Sequence, residues 1–329
     1  MTKKKTSLVV SADLSDLFSD ASAEITVPER KINTDTYPIE KALKTIIRQL
    51  EAIGLRERTI SDYKHHVSHF AEITGIEALE DITADHIYDW LASMNVSNQT
   101  KLTRLKCLKA FLGRCFDNGW IASKFWAQIR IKVDSPVKPG ATERDIMLLL
   151  SLLDLSDFVQ LRDATAVLLL YQTGIRISTL AQLESHHVDL ETNTLRVDGG
   201  LLKNHEQIHL PFDDKLSRLL EALMRQNRIV RRENGAKNDF IFITRYGEKV
   251  TSSQSHNNIQ KRLNKYSKEY GIKNLNPHAL RRGFARRLLD KNANIALISK
   301  ALGHSDIDVT SRYLHLDKEE VMNSLRQYL

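Results

Sequence analysis

The chain has 329 residues, 42% hydrophobic and 27% charged, with a formal net charge of +7. That size and balance suit a soluble protein of about two ordinary domains and exclude a low-complexity or fibrous chain. The excess of cations permits a polyanionic partner, and the longest apolar stretches, 146–153 and 164–171, are too short to span a bilayer.

Residues 1–36 are polar, with scattered Asp, Ser and Lys and no sustained period, so a flexible segment is expected. The basic start Lys3-Lys4-Lys5 is followed only by Leu8-Val9-Val10, too short a run for a signal peptide. A bacterial-type cytoplasm, with association to the nucleoid, is the expected setting, and no membrane partner is expected.

Residues 37–132 read as a helical bundle. Thr59 with Asp62 has the spacing of a capping box. Ile60, Tyr63, Val67, Phe70 and Ile73 then form one apolar stripe. Ile87, Trp90, Leu91 and Met94 form a second stripe after Thr83. A third helix runs from about Ser97 to Phe116, with Leu105, Leu108, Leu112 and Cys115 inward. Cys107 and Cys115 both fall in it, eight apart, too distant for a disulfide, so reduced thiols are expected. From Lys101 to Lys132 there are eight Lys or Arg and one acid, Asp117. Lys101, Arg104, Lys106 and Lys109 are therefore candidate contacts to DNA phosphates; a solvated face would mix its signs.

Residues 133–142, with Pro136, Pro139 and Gly140, read as a linker, and Lys138 is placed to touch a DNA backbone as the chain crosses. The second domain, 143–329, opens with apolar helices. Strand signals follow at 194–197 and 239–243, with a hairpin over 201–211. The remainder is helical. The fold class expected is mainly α, in two domains: an N-terminal helical bundle and a mixed α+β domain with a small antiparallel sheet.

The chemistry concentrates in this second domain. Arg176 follows the break Thr173-Gly174. Asn276-Pro277 reads as N-cap and first helical residue, and the helix they open carries His278 and Arg281 on one face. Ile295, Ile298 and Leu302 mark a short helix stopped by Gly303, which leaves His304 beyond its end. Ser305 with Asp308 resembles a capping box for the next helix, which carries Tyr313. A phenol, two guanidinium groups and two imidazoles suit attack on a phosphodiester. Arginine forks face the oxygens on which charge builds, so no metal is required for that role. Flanking cations favour the Tyr313 phenolate. Lys203 is the candidate donor to the leaving sugar oxygen.

The order and spacing of these pieces resemble the tyrosine recombinases, or phage integrase family. There, an arginine follows a Thr-Gly break, a hairpin supplies a lysine, a His-x-x-Arg box and a Gly-His pair follow, and a tyrosine comes nine residues later. The resemblance implies an active site of Arg176, Lys203, His278, Arg281, His304 and Tyr313. It also implies that 37–132 is a SAM-like core-binding domain. One departure is visible: the family often has Gly-Lys-Gly at the hairpin, where this chain reads Gly199-Gly200-Leu201-Leu202-Lys203. Lys203 is placed by counting back from Leu210-Pro211.

The function implied is an integrase- or transposase-type site-specific DNA recombinase that works through a 3′-phosphotyrosine and a Holliday junction. The implied partners are double-stranded DNA with inverted-repeat core sites, a homo-tetramer on two sites, and accessory DNA-bending proteins. No cofactor is expected. The tail stripe Val321, Leu325 and Tyr328 is expected to dock on a neighbouring subunit or back on its own. A type IB topoisomerase and a catalytically silent DNA-binding protein are the competing readings. His186-His187 and His205-x-x-x-His209 are candidate metal ligands, but no cysteine or carboxylate cluster completes a ligand set, and no metal is expected. Arg282, Arg286 and Arg287 read as surface cations or phosphate contacts.

Overall fold

The computed structural model describes residues 36–134, 138–202, 206–251 and 257–303. The chain divides into two compact units between Ser135 and Pro136.

The first unit is all helical: α1 (Ile39–Ala52), α2 (Glu57–Thr74), α3 (Ala84–Ser93) and α4 (Asn98–Asp117). Trp90, Phe70, Phe111, Ile46 and Leu108 are fully enclosed in one core. The helix starts follow local chemistry. The Thr83 hydroxyl accepts from His86 N, and the Ser97 hydroxyl accepts from Thr100 N. The expected box at Thr59 is not used. α2 begins at Glu57 without a side-chain cap, and Asp62 instead pairs with Arg58 at 3.2 Å. Tyr63, Val67 and Phe70 are buried as the stripe requires, but Ile73 is exposed. Gly75 closes the helix at φ +68°, and Ile76, beyond the turn, enters the core in its place. Cys107 and Cys115 are both free thiols on α4. Burial, then the Asp62 charge, pushes Cys107 up to about 11, and burial raises Cys115 further.

The second unit contains α5 (Glu143–Leu152), α6 (Phe158–Thr173), α7 (Ile177–Leu180), α8 (Asp214–Asn234), α9 (Asn258–Glu269), α10 (Pro277–Asp290) and α11 (Ile295–Leu302). A three-stranded antiparallel sheet, β1 (Val188–Asp189), β2 (Thr194–Val197) and β3 (Ile208–Pro211), has the order β1-β2-β3. The architecture is mainly α with a small sheet. Every residue of α6 from Leu161 to Thr173 is buried, as expected for a helix enclosed on all sides. It packs against α8, α9 and α10. Among the described residues, no helix is long and apolar enough to cross a membrane.

A charged residue lies in the middle of this packing. Asp163, fully buried, accepts from Arg162 Nη2 at 2.7 Å, Arg262 Nε at 2.8 Å and the Tyr266 hydroxyl at 2.8 Å. Each carboxylate oxygen is thus held by at least two donors, the condition under which a buried charge is tolerated.

The expected strand at 239–243 forms only isolated bridges, Glu184 with Phe240 and Ile243 with Lys249. Three of its carbonyls are taken by side chains, and those of Asp239 and Phe242 accept from the backbone of Ser185 and Val250. Arg231 bonds Phe240 O, Asn227 bonds Ile241 O at 2.7 Å, and Arg162 bonds Ile243 O at 3.1 Å. No run of free acceptors remains for a partner strand. The hairpin is also longer than expected. β2 pairs with β3 from Thr194–Pro211 to Val197–Ile208, so the reversal spans 198–207.

Candidate active site

Arg281 is the buried centre of the described site. It is 3% exposed, because α10 presents it inward beside Leu280 and Phe284. Nη1 donates to Gly174 O, and Nη2 donates to Leu302 O at 2.6 Å. Gly174 closes α6 at φ +64°, and Leu302 is the last residue of α11, closed by Gly303 at φ +60°. One guanidinium therefore ties together the ends of two helices, using carbonyls that lack partners within their own helices.

Gly174 has two reasons to be glycine. Its φ lies in the left-handed region, and a Cβ there would meet the Phe284 ring at 2.3 Å. The turn it makes delivers Ile175 to the core and Arg176, partly buried, to the N-cap of α7. The Thr179 hydroxyl of α7 donates to Leu201 O at 3.2 Å, linking this helix to the 3-10 turn 199–201 that leads toward Lys203.

His278 is set by the cap expected from sequence. The Asn276 side chain accepts from Ala279 N at 2.9 Å, and Pro277 occupies the first turn. The residue is exposed at the surface, yet its imidazole is partly desolvated. Its pKa lies below the usual histidine value, first through that desolvation, then through the charges of Arg282, Arg281, Arg176 and Lys138. Four cations thus act on one ring. Lys138, expected to meet a DNA backbone from a linker, stands in this cluster. Arg282, read from sequence as a surface cation or a phosphate contact, heads the charges acting on His278. Its adjacency to Arg281 in the His-x-x-Arg-Arg run is the signal that identifies it.

A close backbone approach brings Lys138 there. Ala141 N donates to Ala279 O at 2.9 Å, and Arg282 grips Pro139 O through Nε at 3.1 Å and Nη2 at 2.9 Å. A Cβ on Gly283 would meet Ala141 O at 2.3 Å, and one on Gly140 would meet Gly283 N at 2.7 Å. Arg286 and Arg287 serve elsewhere: Arg286 pairs with Asp290 at 2.8 Å, and Arg287 lies over the Tyr171 ring at 5.1 Å. Lys203, His304 and Tyr313, with His205, lie outside the described residues.

On α4 the four expected cations do not form one stripe. Lys106 is exposed, about 160° around the helix from Arg104. Lys109 donates to Ala127 O at 3.1 Å and Ile129 O at 2.6 Å, and desolvation, then Arg130, lowers its pKa. Its ammonium braces the chain after α4. Lys101 is partly buried in the first turn.

The model of the phage integrase family matches residues 142–320, more than half of the chain. The chain belongs to the phage integrase family. As a tyrosine recombinase it is an enzyme of DNA strand breakage and rejoining, a site-specific recombinase. It is 28% identical to tyrosine recombinase XerC of Roseiflexus castenholzii over 276 residues, covering 81% of this chain and 85% of that protein. It is 24% identical to tyrosine recombinase XerD of Chlamydia pneumoniae, covering 87% and 96%. In fold it is similar to the Tn1549 transposon integrase in complex with transposon right end DNA. The TM-score is 0.73 at 18% identity, over 89% of this chain and 99% of that one. A lambda integrase dimer bound to a core site gives a TM-score of 0.65 at 18% identity, over 85% and 78%.

Proposed function

We propose that this recombinase cuts one strand of a DNA duplex with Tyr313 and passes it to a second duplex. The Tyr313 oxygen attacks the scissile phosphorus. A phosphorus–tyrosine bond forms, the bond to the 5′ oxygen breaks, and a 3′-phosphotyrosine results. Lys203 gives its proton to the departing 5′ oxygen. The freed hydroxyl of one duplex then attacks the phosphotyrosine of the other, through a Holliday junction. Arg176, Arg281 and His304 face the reacting phosphate.

The observation that carries this reading is the setting of His278 among Arg282, Arg281, Arg176 and Lys138. Cations grouped around an imidazole suit a reacting phosphodiester, whose developing charge they can face. A neutral ring can take the phenol proton, and the cations meet the charge that builds. The similar structures of the Tn1549 integrase with transposon right end DNA and of lambda integrase on a core site support a duplex partner. Inverted-repeat core sites, four copies on two duplexes, exchange of the tail bearing Val321, Leu325 and Tyr328, and accessory bending proteins complete the proposal. Lys101, Arg104 and Lys106 would add phosphate contacts from residues 37–132, and residues 1–36 would stand outside both domains.

The test is covalent trapping. Duplex carrying the bound site, nicked beside the scissile phosphate, should give a denaturation-resistant adduct with the wild type and none with Tyr313→Phe. An adduct on another residue, or none on a proven site, would overturn the reading. Relaxation of one supercoiled circle without exchange between two sites would favour the topoisomerase alternative.

A further inference from the structure

Among the described residues, one group of histidine and carboxylate side chains is close enough to hold a metal ion. The candidate ligand atoms of His186, His187 and Asp198 all lie within 4.8 Å of one another. Chain order hides this grouping, and the sheet creates it. β1 pairs with β2 antiparallel, Val188 opposite Leu195, so the residues before β1 run back beside those that end β2. The two histidines sit in the 3-10 turn 185–187, and Asp198 follows the last residue of β2.

The orientation of both rings is informative. Nε2 of His187 is 3.5 Å from Asp198 Oδ2, and Nε2 of His186 is 4.0 Å from the same oxygen. Both separations exceed an ordinary hydrogen bond. They lie near the ~3.4 Å between donor atoms that share a tetrahedral zinc ion, given metal–ligand bonds of about 2.0–2.2 Å. The opposite nitrogens both face Glu184. Nδ1 of His186 is 3.5 Å from its carboxylate, and Nδ1 of His187 is 3.3 Å from its carbonyl oxygen. A carboxylate and a carbonyl behind two imidazoles is the arrangement that turns their other nitrogens toward a metal. The rings lie face to face, with centroids 3.9 Å apart and a 33° tilt. His187 is 5% exposed in its side chain while His186 and Asp198 are open to solvent, so the group has a fixed floor and an accessible mouth.

We propose that His186, His187 and Asp198 form a binding site for a divalent transition metal of the zinc class, with the fourth position open to water. Without metal, Glu184 N–H donates to His187 Nδ1 at 3.0 Å, so the neutral ring carries its proton on Nε2. Metal binding takes the Nε2 lone pair and moves the proton to Nδ1, which then donates to Glu184 O; the Glu184 N–H gives up its bond to Nδ1, a cost the metal bonds must outweigh. The charge balance is unchanged by this exchange of tautomers. The bound ion ties the turn 185–187 to Asp198, the N-cap of the turn 199–201, and so restrains the chain entering the β2–β3 connection. The inference does not rest on the role given to Tyr313, and its test needs no DNA.

The full-length protein, stripped with chelator and titrated with Zn²⁺, should take up one ion per chain, counted by elemental analysis and calorimetry. His186→Ala and Asp198→Asn, both at exposed side chains, should abolish that uptake while leaving the metal-free circular dichroism unchanged. Glu184→Gln should weaken binding about 10- to 100-fold, the usual effect of removing a partner behind a ligating histidine. Zn²⁺ should slow amide exchange at residues 199–202. Absence of stoichiometric uptake by the wild type would overturn the site, as would equal affinity in the His186 and Asp198 variants, since the chain has 12 histidines. Uptake without slower exchange at 199–202 would overturn the restraint.

Discussion

Arg281 and Gly174 are joined by a hydrogen bond across 107 residues of sequence, from a guanidinium nitrogen to the carbonyl that closes α6. Two residues past that carbonyl stands Arg176. The bond makes the position of one candidate site arginine depend on the other.

Replacing Arg281 should therefore act in two ways. Arg281→Ala leaves the carbonyls of Gly174 and Leu302 without this donor in a buried place. That should lower unfolding stability by about 2–3 kcal/mol in urea denaturation. Arg281→Lys keeps the charge but cannot reach both carbonyls with one fork. Strand cleavage should fall about 10²- to 10³-fold in either variant, the loss typical of one preorganised donor. Intact stability together with intact cleavage in Arg281→Ala would contradict the assignment.

Gly283→Ala tests the approach that delivers Lys138. The added methyl would meet the Ala141 carbonyl, a backbone atom that cannot rotate away. A loss of about 1–3 kcal/mol is expected, in the range of overpacked cores. DNA affinity should weaken as the Pro139–Ala141 segment lifts from α10, and both effects are measurable by denaturation and by fluorescence anisotropy. Gly200→Ala, where nothing lies within 4 Å of the new methyl, is the control and should behave as wild type.

His278 should titrate in the free protein below the ordinary histidine value, measured by the NMR shift of its ring proton. Its folded-state pKa is depressed, so its contribution to stability is present above about pH 6.5 and is lost as pH falls through the lower folded value. His278→Asn should remove that acid-side loss. Arg282→Ala should bring the His278 pKa back toward the usual value. Binding of a phosphate-bearing duplex should raise it, because the phosphate offsets the neighbouring cations. A His278 pKa indifferent to Arg282→Ala would refute the electrostatic grouping.

Asp163→Asn should be among the most damaging changes far from the site. It leaves the buried Arg162, and Arg262 beside it, without their carboxylate, and about 3–5 kcal/mol of stability should be lost. Tyr266 is held protonated by burial, then by the Asp163 charge, so Tyr266→Phe removes one neutral donor and should cost less, about 1–3 kcal/mol. Thermal unfolding of the two variants, compared directly, checks the ranking.

What was legible in the sequence is what depends on neighbours in the chain. The Asn276 cap, the Pro277 start, the Gly303 stop and the Ser97 start are local hydrogen-bonding choices, and each appears where the residues place it. The family motif groups Arg176, His278 and Arg281, and the charges of both arginines act on the His278 ring. Features made by distant pairs escape such reading. The Arg282 grip on Pro139, the Asp163 network and the meeting of Asp198 with two histidines leave no periodic trace. The segment 239–243 has every strand signal, yet three side chains from other helices occupy its acceptors. Lys109 has the charge of a DNA contact, but two carbonyls 18 and 20 residues onward engage it.

The Leu302 carbonyl belongs to the end of the helix from which the chain departs toward His304 and the proposed nucleophile. Because Arg281 holds that carbonyl, the side chain that would steady the reacting phosphate also anchors the end of α11. An added guanidinium salt can replace the first contribution in a truncated variant but has no means to supply the second. Damage at this position is therefore mechanical as well as electrostatic, and only the electrostatic part is open to repair from solution.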